Sequence, residues 1–243
     1  AGVIDTPLTF LDRQTPSYTA ILENDGNLVI ALADMELYRL FSPRQLQRRA
    51  LREVIATSQL VLTDANLPEE TIAALAQSAA GNGRLVAGIA VSPAKVIRYR
   101  PCLSHLSFLF MNESEARALT GKEAPEADEW PSLLRNVGLT GGVVTRGGRA
   151  VVAFDGENTC VAVPPALPAL ADVTGAGDAL ASGFLSARLG GHAINACLRH
   201  GIAAAQITLR SPLAASEEMS AANLEQALAL VPVVSGWGGT VGT

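Results

Sequence analysis

The run Asp172-Val-Thr-Gly-Ala-Gly-Asp178 leads straight into the apolar stretch Ala-Leu-Ala-Ser-Gly-Phe-Leu. A glycine-rich turn that opens a helix turns backbone N–H groups outward, and with the helix dipole these favour an anion. The N–H groups of Gly175, Ala176 and Gly177 are predicted to form such a nest, where glycine permits both the turn and the close approach of a phosphate. Asp178, at the start of the helix, is placed to take a proton from an attacking hydroxyl. The N–H groups beside it would stabilise charge on a phosphoryl group in transfer. A capped helix after a glycine turn is the other reading of a bare Gly-x-Gly-Asp; the seven-residue run is more specific than that.

Other nucleotide motifs are excluded. No G-x-x-x-x-G-K-[ST] occurs, so this is not a P-loop enzyme. Gly175-x-Gly177-x-x-Leu180 lacks the third glycine of a dinucleotide fingerprint and follows a proline-rich connector instead of a strand. Asn112-Glu113-Ser114-Glu115, after an apolar run, reads equally as a helix capping box and as a ligand-facing pair. Thr145-Arg146-Gly147-Gly148 reads by itself as a hairpin turn. His200 stands alone on an Ala-rich helix, where a structural role is the ordinary one.

The elements that must position these residues follow from periodicity and turn chemistry. Strands are predicted at 17–23 and 27–34 around Asn24-Asp25-Gly26, then at 60–62, 84–90, 106–111, 142–145, 150–154 and 159–163. Helices are predicted at 43–57 with Pro43 first, from Pro68 to about Ala80, at 113–119 closed by Gly121, and at 178–189, 193–209 and about 220–230. Residues 122–131 read as a loop or short helix, and the glycine-rich stretch after Ser235 as a loose tail. Strands alternating with helices between 55 and 120 imply a parallel sheet with helices on its faces. The hairpin at 17–34 breaks that rhythm and reads as a small accessory sheet or lid.

Composition narrows the class. The chain has 243 residues, 49% hydrophobic and 17% charged, with net charge −5, which suits one large α/β domain with a real core, or two small ones. Without a basic cluster interleaved with aromatics, nucleic acid is not an expected partner. No apolar run is long enough for a membrane span. Cys102, Cys160 and Cys197 are far apart and odd in number, which argues for buried thiols in a reducing compartment over a disulfide framework.

The Asp172–Asp178 segment resembles the C-terminal signature of the ribokinase (PfkB) carbohydrate-kinase family, and other segments match in the expected order. The resemblance implies an α/β ribokinase-like three-layer α/β/α sandwich spanning 1–243 as a single domain, with 17–34 as its β lid. It implies ATP and Mg²⁺, with Asp178 as base. It makes Asn112 and Glu115 the family's N-x-x-E pair, Glu115 positioning Mg²⁺ through water. Thr145, Gly147 and Gly148 become the turn that approaches the nucleotide, and His200 a residue near adenine. A monovalent cation, K⁺, is implied at Asp172 and the Thr174 carbonyl, completed by Ile207 to Ser216. Within the family, the stretches from Thr15 to Met35, Thr63 to Pro68, Val91 to Val96 and Phe110 to Ala116 are most similar to pseudouridine kinases. That makes pseudouridine the expected acceptor, with ribose, adenosine or another furanose as alternatives, and Asp34, Asn66 and Lys95 as candidates for contact with it. Strand-end solvation, an Asx turn and a surface lysine are the competing readings of those three. The family's early Asp strand and Gly-Gly-x-x-x-Asn loop have no counterpart here, so the domain is expected to be N-terminally incomplete. A catalytically silent nucleotide-binding form is then a second class, and exposed sheet edges predict self-association into a homo-oligomer. A cytoplasmic location is expected, with an organellar one left open.

Overall fold

The computed structural model describes residues 2–22, 28–156, 158–167 and 173–234. In chain order the elements are β1 (Ser17–Leu22), β2 (Leu28–Asp34), α1 (Pro43–Leu46), α2 (Arg49–Thr57), β3 (Leu60–Asp64) and α3 (Glu69–Gly81). There follow β4 (Leu85–Ile89), α4 (Pro93–Val96), β5 (Phe108–Asn112), α5 (Glu113–Thr120), α6 (Trp130–Asn136) and β6 (Gly141–Thr145). The last are β7 (Val151–Asp155), β8 (Asn158–Ala162), α7 (Ala176–Leu189), α8 (Ile194–Leu209) and α9 (Ala221–Leu230).

The six strands β3 to β8 form one sheet in sequence order. Pairings from β3 to β6 are parallel, and β6–β7 and β7–β8 are antiparallel. The β5 sequence Phe-Leu-Phe-Met explains the layering. Four consecutive apolar residues bury both faces of the strand, as a sheet covered on both sides requires. Leu109 and Met111 join a core with α3, α5 and α6. Phe108 and Phe110 join the opposite core with α7, α8 and α9, and both meet Phe184 edge-on at 5.0 and 5.4 Å. The expected α/β/α sandwich is therefore built from two cores on either side of one sheet. On the second face α7 and α8 lie nearly backbone to backbone: a Cβ on Gly183 would stand 2.6 Å from the His200 carbonyl oxygen. Glycine at 183 is what lets the two helices lie this close.

β1 and β2 pair antiparallel as a separate sheet, Ser17 opposite Asp34. It matches the hairpin expected at 17–34; its turn residues Asn24, Asp25 and Gly26 lie outside the described residues. Tyr18, Ile21, Ile30 and Leu32 on it are half or more exposed.

Two expectations need correction. The helix predicted over 43–57 is two helices, broken where Arg48 takes extended backbone. Leu46 and Ile55 are both buried, yet nine residues along one straight helix would point them roughly 180° apart; the break turns both inward. The 178–189 helix starts earlier, at Ala176, so Asp178 is its third residue. The loop or short helix expected at 122–131 is observed, as a loop, the 3₁₀ turn Ala127–Glu129 and the start of α6, with Trp130 fully buried. Two 3₁₀ segments, Glu36–Leu40 and Ile97–His105, were not foreseen. The tail predicted to be loose lies outside the described residues. The cysteines are buried and free, and burial pushes the thiols of Cys102 and Cys197 up to about 11 and that of Cys160 up to about 12. They are neutral at pH 7 and unsuited to nucleophilic work. Among the described residues no helix is long and apolar enough to cross a membrane.

Candidate active site

Parallel strands present their carboxyl ends to one rim of the sheet, where ligands of open α/β sheets bind. Asp64 ends β3, Asn112 ends β5 and Thr145 ends β6, and the N-terminus of α7 faces the same rim. These elements enclose a cleft of about 1410 Å³. Asn112, Glu115, Thr145, Gly147, Gly148, Gly175, Ala176, Gly177 and Asp178 all line it, so residues spread over 67 positions of sequence meet in one place.

At the α7 end, Gly175 caps the helix with φ +79°. The Ala176 N–H makes only a long bond, 3.4 Å, to the Val173 carbonyl, and a helix's first N–H groups have no acceptor within the helix. The arrangement presents donors to an anion. Burial, and next the negative charge of Asp64, push the Asp178 carboxyl above the ordinary carboxylate range. A raised carboxyl beside a set of donors, open to the cleft, is a competent general base for a hydroxyl.

At the β5 end the capping-box reading of Asn112 and Glu115 is realised. The Glu115 N–H donates to Asn112 Oδ1 at 3.0 Å, and the Asn112 N–H donates to Glu115 Oε2 at 2.7 Å. Burial pushes the Glu115 carboxyl up, against the opposing bond from Asn112. Both residues nonetheless line the cleft, so cap and ligand-facing pair are one structure. The next residue ties two loops together: Arg146 Nε donates to Glu113 Oε1 at 2.9 Å, Arg146 also donates to the Pro125 carbonyl at 2.7 Å, and Arg149 pairs with the other Glu113 oxygen. Burial acts upward on Glu113, but bonds from Arg149 and Arg146 outweigh it and hold the carboxyl below its usual range. This anchors the Thr145–Gly148 turn against the start of α5.

Asp34, Asn66 and Lys95 line a second, polar cavity of about 520 Å³. Asn66 lines both spaces and is held on three sides. Its N–H and Nδ2 donate to the two Asp64 oxygens at 2.8 and 2.9 Å, and Lys95 Nζ donates to its Oδ1 at 2.6 Å. The Asx turn here belongs to Asp64, whose Oδ1 accepts the Asn66 N–H, and not to Asn66 as expected, whose Oδ1 instead accepts from Lys95.

His200 does not join the cleft. On α8 the cleft-lining residues are Ile202, Ala205, Gln206 and Leu209, and at 100° per residue His200 lies roughly 160° around the helix from Ile202. Its Nδ1 bonds the Ala196 carbonyl at 2.8 Å and its ring lies 5.3 Å from that of His192. Thr174 sits in the turn between two cleft-lining residues, Val173 and Gly175; Asp172 lies outside the described residues.

Sequence reasoning missed four participants. Asp64 orients Asn66 and acts on Asp178, and its place at the end of a parallel strand was a usable signal. One Arg98 nitrogen, Nη1, donates to the carbonyls of Ala65, Asn66 and Leu67 at 2.8, 3.0 and 3.2 Å, a contact no local pattern announces. Val91 lines the cleft with φ +67°, a strained conformation for a β-branched residue. Gln206 lines it from α8.

Residues 4–221 match the pfkB family carbohydrate kinase profile. The chain belongs to the pfkB family of carbohydrate kinases. It is 25% identical over 227 residues to the pseudouridine kinase of Escherichia coli (strain K12), covering 91% of this chain and 70% of that protein. A solved carbohydrate kinase from Agrobacterium tumefaciens is 53% identical, with TM-score 0.85, over 96% of this chain and 74% of the other. Arabidopsis thaliana ribokinase, solved in complex with ribose and ATP, shares the fold at 19% identity, with TM-score 0.77 over 89% and 70% of the two chains. The sandwich expected from the signature is thus the ribokinase-type fold, and the protein is a kinase of that family.

Proposed function

We propose that this kinase transfers the γ-phosphoryl group of ATP to the primary hydroxyl of pseudouridine, giving pseudouridine 5′-phosphate. The observation that carries the chemistry is Asp178: a carboxyl raised by burial, one residue beyond the Gly175–Gly177 donors, in a cleft whose wall at Asn66 is shared with a polar cavity. The likeness to the Escherichia coli pseudouridine kinase supports the choice of acceptor.

In this reading the nucleoside occupies the cavity at Asp34, Asn66 and Lys95, with its 5′-hydroxyl directed past Asn66 into the cleft. Asp178 accepts the hydroxyl proton as oxygen attacks phosphorus in line. The N–H groups of Gly175, Ala176 and Gly177 meet the charge on the transferring oxygens, and the Thr145–Gly148 turn covers the nucleotide. Catalysis is then positioning and electrostatics, as phosphoryl transfer requires.

The residues present suit Mg²⁺ carried on the phosphates. Among the described residues no three His, Cys, Asp or Glu side chains form a cage, and Mg²⁺ commonly binds through phosphates, waters and one or two carboxylates. Glu115, one oxygen committed to Asn112, would hold it through water, and the ion would neutralise phosphate charge. The segment from Ile207 to Ser216 meets the α7 cap at Ala214 and, with Thr174, is the proposed seat of K⁺.

ADP release with ATP, Mg²⁺ and K⁺ tests the reading across pseudouridine, uridine, adenosine and ribose, the last because the ribokinase neighbour binds it. Turnover with pseudouridine is expected, and Asp178→Asn should lower it by roughly 10²–10⁴ with ATP affinity kept. Near-normal turnover in that variant would refute the base. ATP binding without turnover on any acceptor would favour a nucleotide-binding role instead.

A further inference from the structure

Among the described residues Val91 is the only one other than glycine with positive φ, +67°. It stands between the end of β4 and the start of α4. The Ser92 N–H donates back to the Ala90 carbonyl at 2.8 Å, so three residues close a γ-turn, and a positive φ at its centre makes it the rare, strained form. Glycine would make the same turn without strain, so the backbone does not ask for a β-branched residue here. Packing does not ask for it either, since Val91 is 41% exposed. What its side chain has is the cleft, which it lines with Leu62 and Ile89. A costly conformation that holds an apolar group open to a ligand site points to function. Strand register says where in the cleft. Ile89 is paired with Asp64 on β3 and with Phe110 on β5. Two residues further along the three segments stand Asn66, Val91 and Asn112, and all three line the cleft. Val91 thus lies between the residue that joins the cleft to the acceptor cavity and the residue that caps α5 on the nucleotide side. In the proposed reaction that is where hydroxyl meets phosphoryl group.

We propose that Val91 selects the nucleophile: its isopropyl group packs against the methylene that carries the acceptor's hydroxyl and fills the space from which water would attack. This rests on the reading of the chain as a kinase of a primary hydroxyl. In the reaction it prevents, a water oxygen bonds to the γ-phosphorus and the bond from phosphorus to the β–γ bridging oxygen breaks. ADP leaves with that oxygen, the water proton goes to Asp178, and inorganic phosphate is the product. Excluding water from a closed site suppresses such side reactions. Val91 is then a specificity-determining residue, separate from the base and from the donors that meet the phosphates.

The test compares ADP released with nucleoside phosphate formed, using ATP, Mg²⁺ and pseudouridine, and measures ADP released with no acceptor present. Wild type should release ADP only as it forms nucleoside phosphate. Val91→Gly, which relaxes the turn, and Val91→Ala, which keeps it, should both leak. ADP release without acceptor and KM for the nucleoside should each rise roughly tenfold, the lower end for a lost contact of methylene size, with KM for ATP unchanged. Val91→Ile should stay coupled. Val91→Gly should melt no lower than wild type, because it releases strain, so its leak is not damage to the fold. Coupling kept in both the glycine and the alanine variant overturns the proposal. A leak confined to Val91→Gly also overturns it, since the turn and not the side chain would be the cause. Acceptor-free ADP release that rises in both variants upholds the role of Val91 even where pseudouridine fails and another furanose is phosphorylated, so the two readings fail separately. Wild type that phosphorylates no acceptor, with variants that do not leak, overturns both.

Discussion

Two alanine substitutions two residues apart separate the structural from the chemical demands on the α7 turn. A Cβ on Gly175 would stand 2.1 Å from the Ala214 carbonyl oxygen and 2.9 Å from its carbon. Both obstacles are backbone, so no side chain can swing away. To regain a normal carbon–oxygen contact of about 3.3 Å, the α7 cap and the loop at Ala214 must part by roughly 1 Å. The left-handed conformation at φ +79° costs about 1–2 kcal/mol more for alanine. A 1 Å displacement of groups that must be aligned for reaction costs about 10²-fold in rate. Gly175→Ala should therefore lower both thermal stability and kcat, the latter by about two orders of magnitude. Gly177 differs. It lies within the first turn of α7 with nothing within 4 Å of a built Cβ, and it faces the cleft. Alanine there is worth up to about 1 kcal/mol to the helix, so the melting temperature should hold or rise. If phosphates approach this face, the same methyl group obstructs them, and KM for ATP rises or kcat falls in a protein that is no less stable. The assays are thermal unfolding and steady-state ADP release for both variants. Wild-type kinetics in Gly177→Ala would refute the anion nest. A stable, fully active Gly175→Ala would refute the packing of the cap against Ala214.

The remaining predictions concern the neighbours of Asp178. If the raised carboxyl is the proposed base, kcat should fall as pH drops through a value above that of an ordinary aspartate. Asp64→Asn removes one upward cause and leaves burial, so this acid limb should move to lower pH without reaching the position of a free aspartate; an unmoved limb would refute the coupling. The sign for stability is the opposite of a salt-bridged carboxylate: the fold favours protonated Asp178, so its charge is a liability above the folded pKa. Asp178→Asn should thus melt higher than wild type near pH 7, with the gap closing as pH falls through that pKa. Arg98→Met removes three bonds to the carbonyls that carry Asn66, and KM for the nucleoside should rise about tenfold with KM for ATP unchanged. Equal rises in both would mean the loop supports the fold in general and not the acceptor.

What the sequence disclosed was what the chain builds locally. The glycine turn that opens α7, the Asn112–Glu115 box and the hairpin turn at Gly147 each lie within seven residues, and strand-then-helix alternation sufficed for the parallel part of the sheet. At Asn112 the capping reading holds and the cap also sets the residue at the cleft, whereas at Asn66 the turn is formed by the side chain of Asp64. Asp64, Arg98 and Gln206 were opaque because their importance arises between segments: Arg98 acts on carbonyls 31 to 33 residues away, and Gln206 on Pro165, 41 residues away.

His200 shows where one more step was possible. On α8 the choice of a polar residue near the base was made by residue type, when helical phase decides it. Once α7 and α8 are in contact through Gly183, the positions that face the cleft are those in phase with Ile202, and Gln206, four residues on, is among them while His200 is not. Among the described residues Gln206 is the one polar side chain of that stripe, and its Nε2 donates to the Pro165 carbonyl, tying α8 to the connector that precedes the α7 turn. Substitution of His200 should therefore leave KM for ATP at its wild-type value, and a raised KM would refute the argument from helical phase.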